Sequence, residues 1–222
     1  MERFPTAAQW ITGAWKTATS KAMAEPPAAE SSADQELLRL LARGDERAFR
    51  ALYERYQGPL YRFVMHMSGN SATAEEVTQE VFMLLIGKPK GYEPEKGTVA
   101  GYLFGIARNL TRRIMQRSRL DLPIDDELFD GASDPALASD LDVLAELSTA
   151  ELLETLRKAV LALPEQYREA VALCDLGEMS YADAAAILEC SPGTVASRLH
   201  RARAMLKTRV LKTKPSWQKC MK

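Results

Sequence analysis

The apolar positions of this chain recur every three or four residues, a spacing that places them on one face of an α-helix. Stretches with this period cover most of residues 34–120 and the chain from about residue 151 onward. No stretch shows the strict alternation of apolar and polar residues that predicts a β-strand. The sequence therefore predicts an all-α protein.

Capping residues and breakers divide the first of these stretches into helices. Asp34 and Asp45 can each accept hydrogen bonds from the unpaired amides of a first helical turn. Thr73, with Glu76 three residues later, has the spacing of a capping box, and Pro59 suits the first turn of another helix. Residues 87–97 contain three Gly and two Pro and predict a loop, after which a long helix should cover residues 98–119.

Residues 180–203 have the pattern of a helix-turn-helix motif. Ser180 can cap a helix over residues 181–188, and Glu189-Cys190 would form the turn. Ser191 can cap the second helix, in which Pro192 occupies the first position, where a missing amide costs nothing.

The second helix of this motif has one apolar and one polar side. Val195 and Leu199 should pack inward, against a first helix in which Ala185 is small enough to allow a close crossing. A helix of this kind fits the DNA major groove, and its N-terminal side chains reach base edges. We expect base contacts from Thr194, Ser197, Arg198 and Arg201, and phosphate contacts from His200 and Arg203.

Charge is distributed unevenly along the chain. Residues 121–150 carry nine acidic and no basic groups, whereas the blocks on either side are both mildly basic, although the net charge of the whole chain is only −1. We therefore predict two helical domains joined by an acidic linker. The predicted parts are a flexible N-terminal extension (1–33), a first domain (34–120), the linker (121–150), a helix-turn-helix domain (151–211) and a basic tail (212–222).

Composition gives little support to membrane, redox, metal or enzyme chemistry. No apolar run approaches the roughly 18 residues of a membrane span, and polar residues interrupt any signal-peptide core near the N-terminus, so we expect a cytoplasmic protein. The three cysteines form no CxxC motif, and the two histidines have no nearby ligand set. We expect no cofactor, no metal and no catalytic residue.

Four segments, taken in order, resemble the extracytoplasmic-function (ECF) sigma factors of the bacterial sigma-70 family. Residues 34–56 resemble the start of their promoter-melting domain, and residues 74–82 resemble their core-polymerase-binding helix. Residues 102–110 resemble their helix that reads the −10 element. Residues 163–170, followed by the helix-turn-helix, resemble their −35-binding domain. Gly101-Tyr102 stands where the family often has a tryptophan.

The resemblance implies roles for exposed side chains of the first domain. The core-polymerase-binding residues would be Glu76, Gln79, Glu80 and Met83. The residues along the −10 DNA would be Tyr92, Arg108, Asn109, Arg112, Arg113 and Gln116. The tyrosine could stack on a base flipped out of the opening duplex, or it could be an ordinary surface residue.

The implied function is that of a sigma factor, which binds core RNA polymerase and directs transcription initiation at specific promoters. The resemblance further implies control by an anti-sigma factor in a stress or envelope response. The alternative is a conventional helix-turn-helix regulator that does not depend on docking to polymerase. The acidic linker would either thread through the polymerase or act as a solubilising spacer. The N-terminal extension is either a disordered tail or a docking segment built on Trp10, Ile11 and Trp15.

Overall fold

The structure is a computed structural model that describes residues 28–88, 91–120 and 143–213. Every regular element in these residues is helical, as predicted. The elements are α1 (Ala28–Leu41), α2 (Glu46–Ser68), α3 (Ser71–Gly87), a 3₁₀ turn (Pro94–Lys96), α4 (Val99–Leu120), α5 (Val143–Leu161), α6 (Glu165–Ala170), a π turn (Val171–Asp175), α7 (Tyr181–Leu188) and α8 (Pro192–Thr213). The predicted N-terminal extension up to residue 27, the linker from 121 to 142 and Cys220 lie outside the described residues.

One predicted helix cap in the first domain is confirmed. Asp45 caps α2, because its Oδ1 accepts hydrogen bonds from the backbone amides of Arg47 (2.8 Å) and Ala48 (3.3 Å). Gly69 ends the same helix in the left-handed conformation (φ 70°), which glycine adopts without steric cost.

Three other boundary predictions are wrong. Helix α1 begins at Ala28, so Asp34 lies inside it, where its buried carboxylate accepts hydrogen bonds from Tyr56 and Arg55. Helix α3 is capped by Asn70, whose Oδ1 accepts from the amide of Thr73, and not by Thr73 itself. Pro59 starts no helix, since α2 runs through it without a break.

A single continuous core joins the two halves of the chain. In the first half, α2, α3 and α4 pack around fully buried side chains, and Phe63 of α2 meets Phe104 of α4 edge to face at 5.5 Å between ring centroids. In the second half, α6 and α7 pack against α8. Helix α5 crosses the predicted domain boundary at residue 150. Among the described helices, none is long and apolar enough to cross a membrane.

Cys174 is a core residue. It lies in the buried π turn with 1% of its surface exposed. Burial, with a smaller contribution from the neighbouring Asp175 carboxylate, raises the pKa of the Cys174 thiol to about 12. The reactive species of cysteine is the thiolate, so this thiol should be inert in the folded protein.

We therefore expect iodoacetamide at about pH 8 to modify half-buried Cys190 and to leave Cys174 unmodified until urea unfolds the protein. Only on the order of 10⁻⁴ of the Cys174 thiols would be ionised at that pH. Peptide mass spectrometry after timed quenching measures both rates. Equal rates for the two thiols in the native protein would contradict this prediction.

Candidate nucleic-acid interface

The helix-turn-helix has the predicted caps. Ser180 Oγ accepts from the amide of Asp183 (3.1 Å) at the start of α7, and Ser191 Oγ accepts from the amide of Thr194 (3.1 Å) at the start of α8. Pro192 is the first residue of α8. These local hydrogen bonds satisfy amides that would otherwise lack partners, so they set the helix starts independently of tertiary packing.

Burial shows which side of α8 faces the protein. Val195, Leu199 and Ala202 are completely buried, and Ala185 of α7 is nearly so. The predicted inward face of α8 is therefore confirmed, and Ala185 is buried within α7. Because successive buried positions are three to four residues apart, the opposite side of α8 must face outward.

The turn of the motif contains a non-glycine residue in the left-handed conformation. Glu189 has φ 54° and ψ 44°, and the amide of Cys190 closes the turn on Ala185 O. A side chain with a Cβ is disfavoured there by roughly 1–2 kcal/mol.

Replacement of Glu189 by Gly is therefore expected to raise the free energy of unfolding by about 1 kcal/mol, after allowance for the greater freedom of glycine in the unfolded chain. The opposite control is Ala186→Gly, at an exposed interior position of α7. This change should lower the free energy of unfolding by about 1 kcal/mol. Urea denaturation followed by circular dichroism measures both. A destabilising effect of Glu189→Gly would contradict the assigned backbone conformation.

The predicted −35 contacts do not all lie on the outer face of α8. Ser197, His200 and Arg201 are exposed, and Thr194 is half-buried at the helix start. Arg198 is also half-buried, with Nη1 3.9 Å from Cys190 Sγ.

Arg203 is held inside the domain. Its Nε donates to Asp175 Oδ2 at 3.0 Å, and its side chain is 16% exposed. This hydrogen bond, reinforced by the charge of Asp175, holds the pKa of Arg203 above its ordinary value. The residue therefore ties α8 to the π turn in this conformation and does not face outward towards DNA.

The predicted −10 residues of α4 likewise divide into two groups. Asn109, Arg113 and Gln116 are exposed on one side of the helix. Arg108 is buried, and its Nε donates to Glu169 Oε1 of α6 at 2.6 Å. Arg112 Nε lies 2.6 Å from Glu165 Oε1, in an ion pair whose N–H is not aligned for a hydrogen bond.

Tyr92 lies beside a second tyrosine that the sequence had marked only as a departure from a family pattern. Its hydroxyl donates to Gly97 O (2.7 Å) and accepts from Gln35 Nε2 (3.3 Å). The ring of Tyr102 meets that of Tyr92 edge to face, 5.8 Å between centroids. Burial raises the pKa of both phenols, so both remain neutral hydrogen-bonding groups at neutral pH.

These tyrosines line a cleft of about 370 Å³ between α4 and α7. The exposed residue Asn109 also lines this cleft. The opposite wall includes Asp183 and Ile187 of α7. Aromatic faces next to an amide side chain can stack on a base and hydrogen-bond to its edge.

The predicted polymerase-docking residues lie together on α3. Glu76, Gln79, Glu80 and Met83 are all exposed. Met83 borders an open groove between α2 and α3, and its side chain is 59% exposed.

Apolar residues of this groove were missed in the sequence. Tyr53 and Ile86 are 40% and 49% exposed. The ring centroids of Tyr53 and Phe82 are 4.8 Å apart. The sequence did contain one indication of this apolar patch. Ile86 lies three residues after Met83 and therefore on the same face of the helix. An exposed apolar patch bordered by polar groups indicates a protein-binding surface.

Among the described residues, no group of three His, Cys, Asp or Glu side chains is placed to hold a metal.

Comparison with known proteins matches both halves of the chain. The family described as sigma-70 region 2 matches residues 52–120, and the family described as sigma-70 region 4 matches residues 153–206. The ECF RNA polymerase sigma factor SigM of Bacillus subtilis is 31% identical over 156 residues, which cover 70% of this chain and 91% of that protein. SigE, an ECF RNA polymerase sigma factor of Mycolicibacterium smegmatis, is 32% identical over 170 residues, covering 75% of this chain and 64% of SigE.

A solved structure has a similar fold. The sigma factor RpoE of Bartonella quintana, crystallised with the anti-sigma factor NepR, superposes with a TM-score of 0.58 at 28% identity. The match covers 75% of this chain and 98% of RpoE. The similarity therefore extends over both helical halves and is not confined to the helix-turn-helix.

Proposed function

The chain belongs to the ECF sigma factors of the sigma-70 family, and on that premise we propose that it binds core RNA polymerase and directs transcription initiation at specific promoters. The observation that carries the proposal is the presence of both sigma-70 regions in one chain. A conventional regulator needs only the second of them.

The exposed groove between α2 and α3 is the proposed polymerase-docking surface. Its apolar centre, which includes Met83, would supply most of the affinity, because burial of apolar area is the main favourable contribution at protein interfaces. Gln79 also lines the groove, and exposed carboxylates lie on the same helix. The proposed docking residues are Glu76, Gln79, Glu80 and Met83.

The two other exposed faces are proposed to read promoter DNA. On α8, Arg198 and Arg201 would contact bases of the −35 element, and His200 would contact phosphate. On α4, Asn109 and Arg113 would lie along the −10 element, with Tyr92 at the cleft where an unpaired base could stack. Phosphate contacts position a protein on DNA, whereas base contacts specify the sequence.

We further propose that the chain is a cytoplasmic bacterial protein without catalytic activity of its own. In this proposal the chemistry of RNA synthesis belongs to the polymerase. We also propose that an anti-sigma factor controls it, as the RpoE–NepR complex suggests by analogy. A pull-down from native cells that recovers polymerase and never an inhibitory protein would count against this control.

The proposal is tested by reconstitution with core RNA polymerase and run-off transcription from a library of genomic fragments. We expect discrete transcripts that share a pair of upstream motifs. Arg198→Ala should reduce their yield by roughly 5- to 150-fold, the range that corresponds to a lost bidentate base contact of about 1–3 kcal/mol. The matched control is Arg157→Ala, which removes an exposed arginine of α5 outside the proposed DNA faces. Duplex binding without polymerase association or initiation would overturn the proposal in favour of a conventional regulator.

A further inference from the structure

The exposed apolar side chains of the described residues are concentrated in the groove between α2 and α3. Of the four large ones, Tyr53, Met83 and Ile86 line this groove, and only Leu153 lies elsewhere, on α5. The groove has a volume of about 880 Å³, which leaves room for more than one large side chain. Covering such a patch is favourable because it removes apolar area from water.

Charged groups at this groove favour a basic occupant. Glu54 of α2 and Glu75 of α3 line it, together with Arg62. Glu76 and Glu80 are exposed on the same helix α3. Complementary charges steer association and disfavour wrong partners. An occupant with an apolar centre and basic flanks therefore fits better than an acidic one.

The N-terminal segment of this chain, residues 1–27, has this chemistry. Trp10, Ile11 and Trp15 have the spacing of one helix face and provide two large aromatic side chains. Residues 4–24 contain no acidic group, and their charged residues are Lys16 and Lys21. The segment therefore combines an apolar face with positive charge.

The start of α1 lies close to the groove. Helices α1 and α2 are joined by a short turn and run in opposite directions, and the Asp34 carboxylate of α1 accepts hydrogen bonds from Arg55 and Tyr56 of α2. Equal rise along both helices then places Ala28 beside the part of α2 that contains Arg62, a groove-lining residue. The N-terminal segment therefore joins the described structure next to this groove.

The connection to α1 is long enough for the segment to reach the groove. The twelve residues between Trp15 and Ala28 can span up to about 40 Å, several times the width of a helix. Pro26 and Pro27 immediately precede α1, and proline prevents a helix from continuing through the residues before it. The chain can therefore change direction at this point.

We propose that the N-terminal segment occupies the groove between α2 and α3 in the free protein, with Trp10, Ile11 and Trp15 covering its apolar centre. Lys16 and Lys21 then lie near the carboxylates of the groove. The consequence for polymerase rests on the proposed function: core RNA polymerase must displace the segment before it docks. The docking of the segment itself rests only on the groove and on the chemistry of residues 1–27.

The first test uses the intrinsic fluorescence of tryptophan in the full chain without polymerase. The described residues contain no tryptophan, and the three in the chain are Trp10, Trp15 and Trp217. In the Trp217→Phe variant, all indole emission therefore comes from the N-terminal segment. We expect emission at shorter wavelength, and slower quenching by acrylamide, than for the same variant unfolded in urea.

Two substitutions in the Trp217→Phe background identify the groove as the docking place. Met83→Asp introduces a charge into its apolar centre and should shift the emission towards that of the unfolded chain, since the charge would have to be desolvated. Leu153→Asp makes the same kind of change outside the groove and should leave the emission unchanged. Circular dichroism of each variant establishes that its helices remain folded.

Three fluorescence results would overturn the proposal. The first is native emission identical to that in urea, because the indoles would then be hydrated. The second is shifted emission that Met83→Asp leaves unchanged, because the segment would then dock elsewhere. The third is a shift that disappears on dilution, because a second copy of the chain would then cover the tryptophans.

The second test measures competition with polymerase by fluorescence titration of dye-labelled protein with core enzyme. If the segment covers the groove in about nine-tenths of the free molecules, its release should tighten binding by about ten-fold. We expect this gain for Trp10→Ala/Trp15→Ala, which removes both indoles from the segment. Trp217→Ala is the matched control and should bind like wild type.

Equal affinities of Trp10→Ala/Trp15→Ala and wild type would overturn the role of the segment as a competitor of polymerase. Absence of polymerase binding in every variant, together with the expected fluorescence results, would reject the proposed function and leave the docking of the segment intact. The two ideas can therefore fail separately.

Discussion

Replacement of Asp175 by Ala should lower the free energy of unfolding by about 3–5 kcal/mol, the typical cost of removing one partner from a buried ion pair. The Asp175 side chain is 6% exposed, and it offsets the desolvation of the Arg203 guanidinium, which is 16% exposed. Urea denaturation followed by circular dichroism measures the change. The physical reason is that the arginine would keep its charge while losing the carboxylate that compensates its burial.

Two further variants make this prediction specific. Glu154→Ala removes a partly exposed carboxylate that pairs with Lys158, and should change the free energy of unfolding by less than about 1 kcal/mol. The double change Asp175→Leu/Arg203→Met should recover most of the loss, because an apolar pair of similar volume needs no compensation. Equal losses of unfolding free energy in Asp175→Ala and Glu154→Ala would show that the buried ion pair contributes no more to stability than the exposed one.

Met83→Asp is expected to weaken binding to core RNA polymerase by at least about 10- to 100-fold. Burial of a methionine side chain contributes on the order of 1.5–3 kcal/mol, and an aspartate would also have to be desolvated in an apolar groove. Fluorescence titration of labelled protein with core enzyme measures the dissociation constant. Fold stability should change little, since this side chain is largely in solvent.

The matched control is Leu153→Asp, which makes the same kind of change at a residue on α5 that is 50% exposed and outside the groove. The affinity of this variant for core enzyme should stay within about two-fold of wild type. Surface substitutions away from special features usually change the free energy by less than about 0.5 kcal/mol. Equal losses in the two variants would reject the groove as the docking surface.

The proposed DNA-reading and docking faces could be located from the sequence only as far as helix periodicity allows. On α3 and on the outer side of α8, the exposed predicted residues lie on the helix faces that the periodicity predicted. Periodicity cannot say whether another part of the chain covers an outward face. Arg108 and Arg203 were both expected at DNA, yet each lies in an internal ion pair, with partners 61 and 28 residues away.

Helix starts show the same limit on a smaller scale. Asp45 and Ser191 were correctly assigned as caps, because a cap needs only an amide two or three residues ahead. Asp34 has the same chemistry but lies inside a helix, where Tyr56 and Arg55 satisfy its carboxylate. Pro59 removes one backbone hydrogen bond from α2, and the buried positions Leu52 and Phe63 on either side keep the helix continuous through packing.

The sequence by itself determined the helical class, the helix-turn-helix and its caps, and the family, because each of these depends on residues a few positions apart or on motifs in a fixed order. Tertiary structure alone decided which charged side chains are free to bind DNA. That choice depends on how the acidic side of the C-terminal helices meets α4, and the free energy of such an encounter is set by burial and by partners distant in the chain.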